Sequence, residues 1–106
     1  MNAEQFNKVF AETFGMSSSV LVQKADEYAD DVDRLRNFKM SAHLQECSPI
    51  EALAGILSKH TISVYDLMLS SEIAPLAKWD EKIIDHINYL ILLRALVVEA
   101  LEEGTN

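Results

Sequence analysis

From about Lys78 or Trp79 to Glu103 the chain sets Ile83, Ile84, Ile87, Leu90, Ile91, Leu92, Leu93, Leu96, Val97 and Leu101 around nearly the whole circumference of one helix. A helix that is apolar on most faces is buried on several sides, either at the centre of a bundle or at a subunit interface. Whatever else the chain does, other helices or other copies must surround this segment. Arg94 and Glu99 interrupt the apolar run, which leaves it too short to span a bilayer.

The remaining segments also read as helix, because apolar residues recur at three and four rather than at two. A first helix from about Ala3 to Phe14 carries Phe6, Val9, Phe10 and Phe14 and is expected to stop near Gly15. A second begins at Ser17 to Ser19, whose hydroxyls can cap it, and passes Val20, Leu21, Ala25 and Tyr28 to about Asp31. The poor helix formers Asp30, Asp31, Val32 and Asp33 predict a break or kink, followed by a turn or two through Leu35, Phe38, Met40, Ala42 and Leu44. The next helix has the clearest start: Ser48 as cap, Pro49 at the first helical position and Glu51 at the third form a capping box, and the helix should reach about Leu69. Ser70, Ser71, Glu72 and Pro75 make the connection to the last helix, and Gly104 to Asn106 make a frayed tail. The expectation is an all-α, four-to-five-helix bundle in a single domain over 1–103. A chain of 106 residues supports one small core, so a homo-oligomer joined through the C-terminal helix, burying Leu92, Leu96, Val97 or their neighbours, is expected as well.

Charge narrows the partners. Nine basic against 17 acidic residues give a formal charge of −8, which repels phosphate backbones and excludes non-specific nucleic-acid binding. The same acidity suits divalent cations, or mimicry of a nucleic acid. Cys47 stands alone and cannot form an intramolecular disulfide, and the start MNAEQFNK lacks the basic flank and apolar run of a signal peptide, so a cytoplasmic location and no membrane association are expected. There is no glycine-rich phosphate loop, no Ser-His-Asp order and no CxxC, which removes most hydrolase and redox classes. His43 and Cys47 are four apart, but a structural zinc site needs four ligands.

The acidic residues fall into two groups. Glu81, Asp85 and Asn88, at spacings of four and three, share one stripe of the last helix beside its most apolar surface. Lys24, Glu27, Tyr28 and Asp31 share one side of the second helix, with Asp30 and Asp33 close by. If the two helices pack side by side, four carboxylates converge on a hard cation such as magnesium, which takes oxygen from a few carboxylates, waters and substrate phosphates. If they do not, both groups are solvated faces of acidic helices.

The string Lys24-Ala-Asp-Glu27-Tyr28-Ala-Asp-Asp-Val-Asp33-Arg34-Leu35-Arg-Asn37-Phe38, then Ser48-Pro49 opening a helix with Lys59-His60, then Trp79-Asp-Glu81-Lys-Ile-Ile-Asp85-His-Ile-Asn88-Tyr89, resembles a group of small phage and prophage proteins. More distantly it is similar to the all-α nucleotide pyrophosphohydrolases of the MazG and dimeric dUTPase type. The resemblance covers roughly Leu21 to Glu99. It implies an oligomeric helical bundle that hydrolyses nucleoside triphosphates to monophosphate and pyrophosphate with magnesium. Glu27 and Asp31 match the first acidic pair and Glu81 and Asp85 the second, although the superfamily writes its pairs as ExxE and ExxD and both pairs here are spaced by four.

On that resemblance Glu27, Asp31, Glu81 and Asp85 hold the metal, and Glu27 and Glu81 are the catalytic carboxylates that orient a water for attack on phosphorus. Lys24, Arg34 and Lys59 neutralise phosphate charge, and Asn37 and Asn88 read a base or hold a metal-bound water. Each of these is otherwise an ordinary surface or capping residue. Tyr28 and Tyr89 can stack on a base but at helical spacing more often join a core. His60 reads as a packed or capping histidine rather than a general base. The rival reading is a non-catalytic, acidic phage-type protein that binds or inhibits a host protein and acts in the host cytoplasm.

Overall fold

The computed structural model describes residues 1–28 and 33–104, with side chains for 1–23 and 33–104. Four helices follow one another: α1 (Ala3–Tyr28), α2 (Arg36–Gln45), α3 (Pro49–Leu69) and α4 (Leu76–Glu102). All regular structure among the described residues is α-helical. None of these helices is long and apolar enough to cross a membrane.

Local chemistry sets most of the helix ends. Asn2 and Gln5 open α1 with reciprocal bonds: each backbone N–H donates to the other's side-chain oxygen at 2.8 Å. At α3 the Ser48 hydroxyl accepts from the Glu51 N–H at 3.1 Å, and the Ser48 N–H donates to the Glu51 carboxylate, with Pro49 directly behind the cap. Both arrangements satisfy donors that a helix start leaves orphaned. Glu46 ends α2 in the left-handed region at φ 54°, and the Cys47 N–H reaches back to the Ala42 carbonyl at 3.0 Å. α4 begins at Leu76, two or three residues earlier than its sequence pattern suggests, with Pro75 as its cap residue.

One break expected from the sequence does not occur. α1 runs straight through Gly15, and Ser17 is no cap. A single interior glycine costs a helix only about 1 kcal/mol relative to alanine, and tertiary packing offsets that here. Ser17 is buried at 4% exposure and its hydroxyl donates to Asn88 Oδ1 on α4 at 2.6 Å. The expected break at Asp30 to Val32 lies outside the described residues.

α4 packs along α3 and against the C-terminal half of α1, while α2 lies on α3. The core cluster is Leu35, Phe38, Leu53 and Leu96, with Ile56, Leu57, Tyr89, Leu92, Leu93 and Ala95 packed against it. Leu53 is the most enclosed, at 1% exposure. Leu96, expected at an interface between copies, is 4% exposed within the single chain, and Leu92 also faces this core. The outward side of α4 consists instead of Leu90, Ile91, Val97 and Leu101.

Candidate functional site

Asn88 lies between α1 and α4 at 3% exposure. Its Oδ1 accepts from Ser17, and its Nδ2 has no hydrogen-bond partner among the described residues. Turning the amide over would let Nδ2 donate to Ser17 and would leave Oδ1 unpaired instead. In either orientation one polar atom of a buried amide is unsatisfied, an expensive arrangement that marks a place for an additional partner.

Asn88 lines a pocket of about 300 Å³ together with Leu21, Arg34, Asn37, Phe38, Ile56, Tyr89 and Leu92. This is the small end of the range for ligand sites, which are mostly apolar with a few placed polar groups. Among the described residues, Arg34 is the charged member of that lining.

A clip at the start of α2 places Arg34 and Asn37. Asp33 Oδ1 accepts from the Leu35 N–H at 3.0 Å, and Asp33 Oδ2 accepts from the Lys39 ammonium at 2.6 Å. Lys39 also reaches Glu99 near the end of α4, at 2.5 Å. These bonds hold the Asp33 carboxyl below its ordinary range, through Lys39 first and the Leu35 N–H second. They raise the Lys39 ammonium above its usual value, through Asp33 first and then Glu99. Leu35 and Phe38 are buried beside the clip, so the backbone carrying Arg34 and Asn37 is fixed at both ends.

One and two turns toward the start of α4, Asp85 and Glu81 line a neighbouring surface hollow with Asp80, Ile84 and Ala77, closed on the α1 side by Gly15, Met16, Ser19 and Val20. Glu81 is exposed and Asp85 half-buried, and Asp85 is not without a partner. The stripe Glu81, Asp85, Asn88 therefore runs from an acidic hollow into the pocket holding Arg34.

Of the residues expected from the sequence, the structure brings Arg34, Asn37 and Asn88 to one pocket and sets Glu81 and Asp85 in the adjoining hollow. Lys59 is exposed on α3 and is not among the pocket's lining residues. The side chains of Lys24, Glu27 and Tyr28, and all of Asp31, lie outside the described residues, so the first acidic pair is not placed. Among the described residues no three of His, Cys, Asp and Glu are grouped to hold a metal ion. Tyr89 packs against His60 with the rings tilted by 34° and their centroids 4.6 Å apart, and that makes His60 a packing partner of the pocket wall. His86 Nε2 lies 2.9 Å from the Thr61 hydroxyl, a polar tie between α3 and α4.

Sequence reasoning missed Ser17 and Lys39. Ser17 is separated from Asn88 by 71 positions, and no local pattern announces the pair. Lys39 looks like any surface lysine until α2 and α4 are placed side by side. No protein-family model matches the chain, and no curated protein or solved structure matches it either. The resemblance to nucleotide pyrophosphohydrolases therefore rests on the quoted residues alone.

Proposed function

We propose that the pocket binds a nucleoside triphosphate and that the protein is a magnesium-dependent nucleotide pyrophosphohydrolase, releasing monophosphate and pyrophosphate. The observation that carries this reading is the amide of Asn88, unsatisfied among the described residues and buried in one pocket with Arg34 and Asn37, with two acids on the next turns of the same helix. Arg34 supplies a planar cation for phosphate oxygens, and a guanidinium can meet two of them at once. Asn37 and Asn88 supply amide groups for a base edge or an ordered water. Leu21, Ile56, Leu92 and the Tyr89 ring supply apolar surface and exclude solvent.

The fit to magnesium can be judged from the donors. Magnesium takes hard oxygen ligands and is commonly held by one or two carboxylates, the rest of its shell being waters and substrate phosphates. Glu81 and Asp85 meet that requirement without a third protein acid. Bound there, the ion would neutralise phosphate charge and acidify a water. In this reading Glu81, the exposed member of the pair, orients the attacking water.

The test is a titration with magnesium and a non-hydrolysable nucleoside triphosphate analogue, followed by thermal melts and amide chemical shifts. The expected result is a melting temperature that rises with analogue concentration, with shifts centred on Arg34, Asn37 and Asn88. Arg34→Gln should abolish the response, and Asp85→Asn should remove its dependence on magnesium. Unchanged melting and unshifted amides at millimolar analogue would reject the reading. They would favour instead the non-catalytic acidic protein that binds a host protein, which draws on the charge of −8 and needs no pocket.

A further inference from the structure

The two ends of the Asn88 amide are alike in shape and opposite in chemistry, so its neighbours decide which end meets the pocket. Here the neighbour is Ser17. The contact between Ser17 Oγ and the amide is 2.6 Å long. That lies inside the range of an O–H···O bond, about 2.5–3.0 Å, and below the about 2.7–3.2 Å of an N–H···O bond. The end held by Ser17 is therefore the carbonyl Oδ1, with the hydroxyl as donor. Turned over, the amide would press an N–H against the hydroxyl oxygen at too short a distance, and the Ser17 proton would lose the acceptor it has in this arrangement. Ser17 on α1 and Asn88 on α4 are both enclosed, at 4% and 3% exposure, so neither side chain turns away to water.

With Oδ1 turned to α1, the end left over is Nδ2, a donor without a partner among the described residues. Asn88 stands in the lining of the pocket, and so does Leu21, one turn beyond Ser17 on α1. Arg34 in that lining carries donors only. Asn37, whose amide includes an acceptor, is exposed at the start of α2. The side chains of Leu21, Phe38, Ile56 and Leu92 bring no polar atoms. A ligand that enters thus meets donors in the enclosed part of the pocket and is asked for acceptors.

We propose that Ser17 is a positioning residue that determines specificity: by fixing the Asn88 amide with Nδ2 toward the pocket, it makes the site select a base with a carbonyl oxygen over one with an amino group in the same place. The choice of ligand rests on the nucleotide reading, whereas the orientation of the amide does not. A carbonyl oxygen opposite Nδ2 satisfies a buried donor that otherwise has no partner. An exocyclic amino group there sets donor against donor and leaves both unpaired, and a site that hydrogen-bonds its ligand rejects such a mismatch far more strongly than a difference of one methylene. Two pairs of bases isolate the effect. Hypoxanthine and adenine, like uracil and cytosine, match in size and exchange one carbonyl for one amino group.

The test is calorimetric titration of the full chain, with magnesium, against the α,β-methylene triphosphates of inosine, adenosine, uridine and cytidine, whose methylene bridge blocks release of pyrophosphate. In each pair the carbonyl member should bind at least about tenfold more tightly, the scale set by one unpaired buried donor. In Ser17→Ala the amide is free to present either end, so the two members of each pair should approach equal affinity. The side-chain amide resonances of Asn88 in the wild type give a reading that needs no variant: they should shift with the inosine and uridine compounds and stay in place with the other two. Equal affinity of the wild type for all four would overturn the role of Ser17 and leave the nucleotide reading standing. A preference that Ser17→Ala leaves intact would do the same. Binding of none of the four would overturn both.

Discussion

Removing the Ser17 hydroxyl should weaken the protein, and removing the Asn88 amide along with it should restore much of the loss. Ser17→Ala deletes the hydrogen bond to Asn88 and leaves both ends of a 3%-exposed amide unpaired. Leaving a buried polar group unsatisfied costs about 1–3 kcal/mol, whereas replacing both partners with apolar groups is close to neutral. Asn88→Leu keeps the branched shape and the number of side-chain heavy atoms and takes away the amide that is half-satisfied in the native state. The single Ser17→Ala should therefore lose about 2 kcal/mol. The double variant with Asn88→Leu should lie within about 1 kcal/mol of wild type, with a coupling of about 1–2 kcal/mol between the sites. Urea unfolding followed by far-ultraviolet circular dichroism, at one fixed protein concentration, measures this. With a slope of about 1–3 kcal/mol per molar urea the midpoint should move by roughly 1 M in the single variant. Additive losses would mean that the Ser17 bond is not what ties α1 to α4. The double variant should also lose the response to nucleotide analogue while keeping its fold, which separates the stability role of this site from its binding role.

Three further outcomes follow from local chemistry. Ser48→Ala should lose about 1 kcal/mol in the same melts, because the Glu51 N–H loses its acceptor; coincident curves would mean that α3 starts without help from this cap. Gly15→Ala should gain about 0.5–1 kcal/mol, since α1 is helical there and a Cβ would meet nothing within 4 Å; a loss would show that α1 is not continuous at Gly15. Lys39→Met should destabilise the protein in a pH-dependent way. The Asp33 carboxyl is depressed in the fold, so its contribution is present above the unfolded value of 3.8 and disappears as pH falls through the lower folded value. Lys39 is raised, so its contribution is complete below 10.5 and is lost only in strong alkali. The difference in melting temperature between wild type and Lys39→Met should be flat around neutrality and shrink below pH 3.8; a gap that stays constant into acid would rule out the Lys39–Asp33 pair as its source.

What the sequence disclosed was largely what neighbouring residues decide. The start of α3 is legible because Ser48, Pro49 and Glu51 act within one turn, and the bounds Pro49–Leu69 agree with the pattern. The apolar circumference of α4 announces a central helix, and α4 does pack on both α1 and α3. The apolar circumference does not say which face points inward, because Leu92, Leu96, Leu90 and Ile91 are chemically alike. Leu96 and Leu92 turn to the core, and Leu90 and Ile91 stay outside. Gly15 misled for a related reason: a glycine is a local preference of about 1 kcal/mol, and the burial of Ser17 across the bundle outweighs it. At the candidate site, the stripe Glu81, Asp85, Asn88 was readable from spacing. The meeting of Asn88 with Arg34 and Asn37 was not, because it depends on a clip that joins Asp33, ahead of α2, and Lys39 of α2 to Glu99 of α4, 60 positions further on.

The most direct measurement is pyrophosphate release from a panel of standard and modified nucleoside triphosphates, with and without magnesium, for wild type, Glu81→Gln and Arg34→Gln. The expected result is magnesium-dependent release of pyrophosphate from at least one member of the panel by wild type, reduced at least tenfold in each variant while the helical signal is unchanged. No pyrophosphate from any member at micromolar enzyme, or equal release by wild type and both variants, would contradict the assignment of this pocket and its acidic neighbour to nucleotide hydrolysis.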